Sequence, residues 1–222
     1  MTDSPAGDGL ACLAAYARGG DRLRLGVGVL PLDRHPPEAI IERVRELGLP
    51  LDRLWLGIGS GRSATPLGTV RAAVPVLREA LPGASIVIAA MGPQMCALAG
   101  EIGDAVHLNW LTPEAIRDTM ARIEGREPRP LGVMYVRASL DPGGRERVGV
   151  EAGRYARQPG MATHFEANGV PPSALGVAGV AGTFDAQLAP YEAVLDATIV
   201  RALPASAEPA DLCALLEACA PA

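Results

Sequence analysis

The residues of this chain that could do chemistry stand at the ends of short apolar runs. Ser60, Arg62 and Ser63 lie in and after a glycine-rich turn, Gly57–Gly61, where small residues let backbone and hydroxyl donors approach a ligand. Asn109 and Trp110 close the run AVHLNW, a place from which an amide and an indole can face a bound group. The run ASIVIAA passes through Met91 and Gly92 straight into a helical pattern that begins at Pro93. A helix opened in this way presents free N–H groups and the positive end of its dipole, which suits a phosphate. Each feature also has a plain structural use. A glycine turn can serve packing alone, MGP can be an ordinary tight turn, Trp110 can be core, and His107, inside a strand, can be a satisfied core histidine.

Other chemistries are excluded more firmly. The chain has 20 basic residues and every one is arginine, so lysine Schiff-base chemistry and a P-loop lysine are ruled out. It contains no G-x-S-x-G elbow, no G-x-G-x-x-G and no H-E-x-x-H. Cys12, Cys96, Cys213 and Cys219 form no C-x-x-C pair, and His35, His107 and His164 are far apart in sequence. The cysteines therefore read as small hydrophobes, and no metal is expected. A net charge of −5 argues against a general nucleic-acid binder. No apolar run reaches the roughly 18 residues of a membrane span, and Met1–Gly9 lacks signal character. A cytoplasmic location with no membrane partner is the expectation.

The elements that would position these residues alternate. Six nearly continuous apolar runs read as strands covered on both faces: Arg22–Leu30, Arg53–Gly59, Ala84–Ala90, Ala105–Trp110, Pro130–Ala138 and Ala197–Leu203. Helical spacing fills the gaps at Gly9–Ala17, Pro37–Leu47, Pro66–Leu81, Pro93–Ile102, Thr112–Ile123 and Pro209–Ala218. Strand-then-helix alternation with short loops predicts a parallel sheet in one domain spanning 1–222. The segment Gly143–Tyr191 departs from the rhythm and predicts a helical insertion (143–192) with helices over Glu146–Arg157, Pro159–Asn168 and Thr183–Leu195. Periodicity alone leaves an open doubly wound sheet and a (β/α) barrel both possible. A full barrel typically needs about 250 residues, which favours the open sheet.

Three strand ends in order, LRLGVGVLPLDRHP (23–36), RLWLGIGSG (53–61) and IVIAAMGPQMCALAGEIGDAV (86–106) running into HLNWLTPE, together resemble the luciferase-like superfamily. The nearest resemblance is to its branch of deazaflavin (F420)-dependent methylenetetrahydromethanopterin reductases, over about residues 9–218. The resemblance implies an α/β fold of parallel strands, a TIM-type barrel lacking its first two strands, with the insertion before the last. It further implies a cofactor, FMN or F420, at the C-terminal strand ends. A non-proline cis peptide would lie at Gly28–Val29 against the ring, although Gly26 and Gly28 could equally ease helix packing. The cofactor phosphate would fall on Met91, Gly92, Gln94 and Met95. Ser60 and Asn109 would add polar contacts. Ala105 and Val106 stand where the family usually has glycine and valine after an aspartate. The implied function is an FMN- or F420-dependent oxidoreductase or monooxygenase, moving hydride to or from a small organic substrate. The alternative is a degenerate, non-catalytic barrel acting as a scaffold or partner subunit. No catalytic acid or base is named. With two strands missing, the exposed edges predict cover by the insertion, by a second copy in a homodimer or by tighter closure.

Overall fold

The computed structural model of the protein describes residues 7–123, 127–158, 160–167, 169–206 and 208–219. These fall into two compact units. One comprises the residues up to His107 together with Arg122–Leu131; the other comprises Leu108–Ala121 together with the residues from Gly132 onward.

The first unit opens with α1 (Gly9–Ala17), whose N-terminus is capped by Asp8: the carboxylate accepts the Ala11 N–H at 2.9 Å. The carboxylate also receives Arg43 from α2 (Pro37–Glu46). Between them runs β1 (Leu25–Pro31), followed after α2 by β2 (Leu54–Gly59), α3 (Pro66–Ala80), β3 (Ser85–Ala89), α4 (Pro93–Ile102) and β4 (Ala105–Asn109). Neighbouring strands pair in parallel in the order β1, β2, β3, β4. Their apolar residues are almost wholly buried, Leu56, Ile58, Ile86, Ile88 and Val106 among them, as expected of strands covered on both faces. Prolines at the first positions of α2, α3 and α4 begin each helix without sacrificing a hydrogen bond.

Asp104 fixes the register at the start of β4. Its carboxylate accepts the Ile86 N–H and Arg78 Nη2, each at 2.7 Å, tying β3 and α3 to β4. The β1–β2 ladder is interrupted. Val27 pairs with Leu56 and Leu30 with Ile58, so Gly28 and Val29 together oppose Gly57. That is a one-residue bulge.

The second unit contains α5 (Pro113–Arg122), β5 (Leu131–Ser139), α6 (Gly144–Ala156), α7 (Met161–Ala167), β6 (Val177–Ala178), α8 (Ala181–Glu192), β7 (Ala197–Ala202) and α9 (Pro209–Ala218), with unit boundaries falling inside the ends of α5 and β5. Both β6 and β7 pair in parallel with β5. Asp196 anchors β7 to β5, accepting the Gly132 N–H at 2.7 Å. The expected insertion is helical at α6, α7 and α8, and it also contributes the two-residue β6, which apolar patterning could not reveal in so short a segment. Pro159 and Asn168, the ends of one expected helix, lie outside the described residues. Phe165 of α7 and Val148 and Ala152 of α6 form a core with Trp110, Met161 and Leu175.

With helices between parallel strands, the architecture is that of an incomplete α/β TIM-type barrel. Among the described residues, no helix is long and apolar enough to cross a membrane.

Candidate functional site

The bulge on β1 turns the Gly28 carbonyl inward, where His107 Nδ1 meets it at 3.0 Å. A carbonyl only accepts, so Nδ1 carries the proton. The two residues belong to strands three places apart in the sheet order. At about 4.8 Å per strand a flat sheet would separate them by about 14 Å, beyond an imidazole's reach. The sheet of the first unit is therefore curled, and His107 spans its concave face.

Gly57 makes the bulge possible. A Cβ there would overlap the carbonyl oxygens of Val27 and Gly28. On the same rim, Val29 Cγ1 would lie 3.0 Å from a Cβ at Gly59, so a second glycine receives the other bulged residue. The loop after β2 is braced from β1's side by Asp33, whose carboxylate accepts the Arg62 N–H at 3.1 Å. Gly61 has φ +60°, and a Cβ on it would overlap that carboxylate. Ser63 in turn bonds Thr69 at 2.6 Å. Ser60 is half-buried at the end of β2.

After β3 the chain enters α4 through Met91 and Gly92, both exposed. No side chain caps this helix, and Gly92 takes ordinary extended angles (φ −90°, ψ 156°). Nothing lies within 4 Å of a Cβ built on Gly92. Gln94 is exposed and Met95 half-buried. The first turn of α4 thus offers uncapped amides to open space, an arrangement suited to an anion.

Other expected positions differ. Ala105 and Val106 are buried, 1% and 0% exposed, at the start of β4, with Ala105 opposite Val87 rather than at the outgoing rim. The peptide Gly28–Val29 is trans; among the described residues the cis bond is Glu127–Pro128. This corrects the expectation of a cis peptide. The extra residue of the bulge already redirects the Gly28 carbonyl, without the roughly 3–4 kcal/mol that a non-proline cis bond costs.

In the second unit Asn109 is engaged, its Oδ1 accepting Arg137 Nη1 at 2.5 Å. Trp110 is core, 2% exposed, and has the left-handed φ of 53°. His164 Nε2 lies 2.8 Å from the Asn109 carbonyl and 3.2 Å from that of Trp110, pinning this turn. The guanidinium of Arg137 lies 3.9 Å from the Trp110 ring centre, and burial pulls its pKa down to about 10. Sequence reading passed over Arg137, yet the signal was present: one charge inside the apolar run LGVMYVRAS. It also passed over Asp33, a loop aspartate whose partner is 29 residues away.

No family model matches the chain, and no curated protein matches it. Solved structures do. An F420-dependent secondary alcohol dehydrogenase, solved with an F420–acetone adduct, superposes with a TM-score of 0.70 at 14% identity, covering 97% of this chain and 85% of its own. The coenzyme F420-dependent tetrahydromethanopterin reductase from Methanopyrus kandleri gives 0.71 at 15% identity, covering 94% and 85%. This chain shares the fold of these structures. The EDTA monooxygenase of Chelativorans sp. BNC1 shares it as well, with a TM-score of 0.64 at 10% identity, covering 95% of this chain and 75% of that one. Within this shared fold, the bulge interrupts β1 two residues before its outgoing end, and the α4 N-terminus follows the outgoing end of β3, the side on which ligands of parallel α/β folds gather.

Proposed function

We propose that the chain is a flavin- or F420-dependent oxidoreductase, of the reductase or monooxygenase kind, acting on a small organic substrate. The observation that carries this reading is the bulge at Gly28–Val29, fixed by His107 and accommodated by Gly57, in the unit whose α4 opens uncapped. The residues fit such a cofactor. The open space at Gly92 leaves room for a phosphate, and the Gln94 and Met95 amides would hold it; Pro93 has no N–H to offer. Val29 and the turned-in Gly28 peptide would back a planar ring, with Ser60 beside them as a hydroxyl donor. When bound, the cofactor supplies the hydride chemistry. The chain's own part is to orient and to exclude water. His107 acts as a positioning residue, since it touches the bulge and would act through it. Structures with this fold whose names specify F420 or monooxygenase chemistry support the class.

Titrating the purified chain with FMN and with F420, following the absorbance and fluorescence of each, tests the proposal. Saturable binding of either supports it; binding of neither contradicts it. A second reading, a scaffold or partner subunit without chemistry, is favoured by one observation: Ala105, sealed in the core at the start of β4, stands where the family pattern has glycine. Binding of neither cofactor is the result this reading expects.

The same reading proposes a homodimer. All six residues of β7 are half-buried, and Leu212 and Leu216 of the neighbouring α9 are exposed. Light scattering at micromolar concentration should give twice the monomer mass.

A further inference from the structure

Arg137 and Arg201 are partners across the β5–β7 ladder, so their side chains leave the same face of the sheet. Both stand near outgoing strand ends, two residues before the end of β5 and one before the end of β7. Like charges placed opposite each other repel, and here one of the two is sealed in. Arg137 is 1% exposed, and its Nη1 donates to Asn109 Oδ1 and to the Tyr135 carbonyl. Tyr155 also hydrogen-bonds its side chain, and the rings of Trp110 and Tyr155 lie 3.9 Å and 5.0 Å from the guanidinium carbon. Each of these partners is uncharged at neutral pH.

Glu151 of α6 is the one carboxylate that acts on either arginine. Arg201 holds it, donating from Nε at 2.8 Å, and the Glu151 side chain is only 9% exposed. Two cations therefore share one anion, and one positive charge is in surplus. A buried ion without a counter-charge is penalised by several kcal/mol. The surplus is reachable from outside through Arg201. That side chain is 38% exposed, and beyond its Nε bond to Glu151 the guanidinium makes no hydrogen bond among the described residues.

The free edge of Arg201, Nη1 with Nη2, is a planar fork, and a carboxylate meets such a fork with two parallel hydrogen bonds. A surplus of one charge matches a single negative charge. A phosphate dianion would bring its second charge up to Glu151. Chloride would balance the charge at one point without using the fork.

We propose that the Nη edge of Arg201, backed by the buried charge of Arg137, is a binding site for a singly charged organic carboxylate. The site is built from the second unit alone and uses no cofactor contact, so it stands or falls separately from the oxidoreductase reading.

Calorimetric titration of the unaltered chain with sodium benzoate tests it, with benzyl alcohol and inorganic phosphate as comparisons. Benzoate should bind saturably, benzyl alcohol should not bind, and phosphate should bind at least about tenfold more weakly. Arg201→Gln should weaken benzoate binding by at least about tenfold. Glu151→Gln removes the competing carboxylate and should tighten it, a gain that a purely structural ion pair would not give. No saturable benzoate binding, equal affinity in Arg201→Gln, or equal affinity for benzyl alcohol overturns the proposal. Phosphate binding as tight as that of benzoate overturns the carboxylate assignment. Crystals of the unaltered chain soaked in 4-bromobenzoate need no variant. They should show the bromine by its anomalous signal, with the carboxylate within hydrogen-bonding distance of Arg201 Nη1 and Nη2; bromine elsewhere only, or nowhere, contradicts the site.

Discussion

His107 on β4 donates from Nδ1 to the carbonyl oxygen of Gly28 on β1, 3.0 Å away, across the inside of a curled sheet. This single bond joins the two ends of the four-strand run in the first unit. It also holds the bulge in the orientation on which the proposed ring contact depends. Removing the donor leaves a buried carbonyl unsatisfied, so His107→Leu should destabilise the chain by about 1–3 kcal/mol in urea unfolding. His107→Gln, which can still donate, should recover part of that loss. If both variants lose the same stability, packing rather than the hydrogen bond explains the role of His107.

Gly57 is needed for space rather than for an unusual backbone angle. A methyl group there meets two backbone carbonyls that cannot rotate away. Gly57→Ala should therefore cost about 2–4 kcal/mol, lowering the melting midpoint by roughly 5–12 °C. Gly92→Ala, with open space around it, should leave the midpoint within about 1 °C. A tolerant Gly57 would mean that the bulge is not anchored as described.

Asp104 links three elements through one carboxylate. Asp104→Ala removes the acceptor of the Ile86 N–H and the partner of Arg78, and should cost about 2–3 kcal/mol by chemical denaturation. Arg78 is partly exposed, so Arg78→Ala alone should cost under about 1 kcal/mol. Equal losses would place the weight on the ion pair instead of the backbone bond.

Burial pushes the Cys96 thiol up to about 11 from its ordinary 9.0. A raised folded-state pKa means that the native chain holds the proton more tightly than the unfolded one. The resulting stability is complete below pH 9 and is lost as pH rises from 9 toward 11, by about 3 kcal/mol at most. Stability measured across that window should fall more steeply for the wild-type chain than for Cys96→Ala. In native protein at pH 8, Cys213, which is exposed, should react with a thiol reagent well before Cys96. Parallel slopes, or early modification of Cys96, would contradict its buried state.

How much of this was legible in the sequence depended on range. Apolar runs placed all six long strands within a few residues, because burial on both faces leaves a continuous signal. Prolines at helix starts set the bounds of α2, α3 and α4. The bulge was not readable. It arises from two residues of β1 facing one of β2, and only the glycines at 28 and 57 hinted at it. The family pattern suggested a cis bond at that point, whereas the structure reaches a turned-in carbonyl by a bulge. Arg137 was overlooked for a similar reason. Its partners Asn109, Trp110 and Tyr155 lie 28, 27 and 18 residues away, and no local spacing connects them. The strand β6, at two residues, is too short to leave a period.

The most direct measurement is the affinity of the chain for FMN and F420, compared with that of Gly92→Ile. The substitution meets no neighbour and no forbidden backbone angle, so the fold should survive and only the space before α4 should be filled. The account predicts saturable binding of one cofactor by the wild-type chain and at least about tenfold weaker binding by the variant, the equivalent of about 1.4 kcal/mol. Unchanged affinity in a folded Gly92→Ile, or no binding of either cofactor by the wild-type chain, would contradict it.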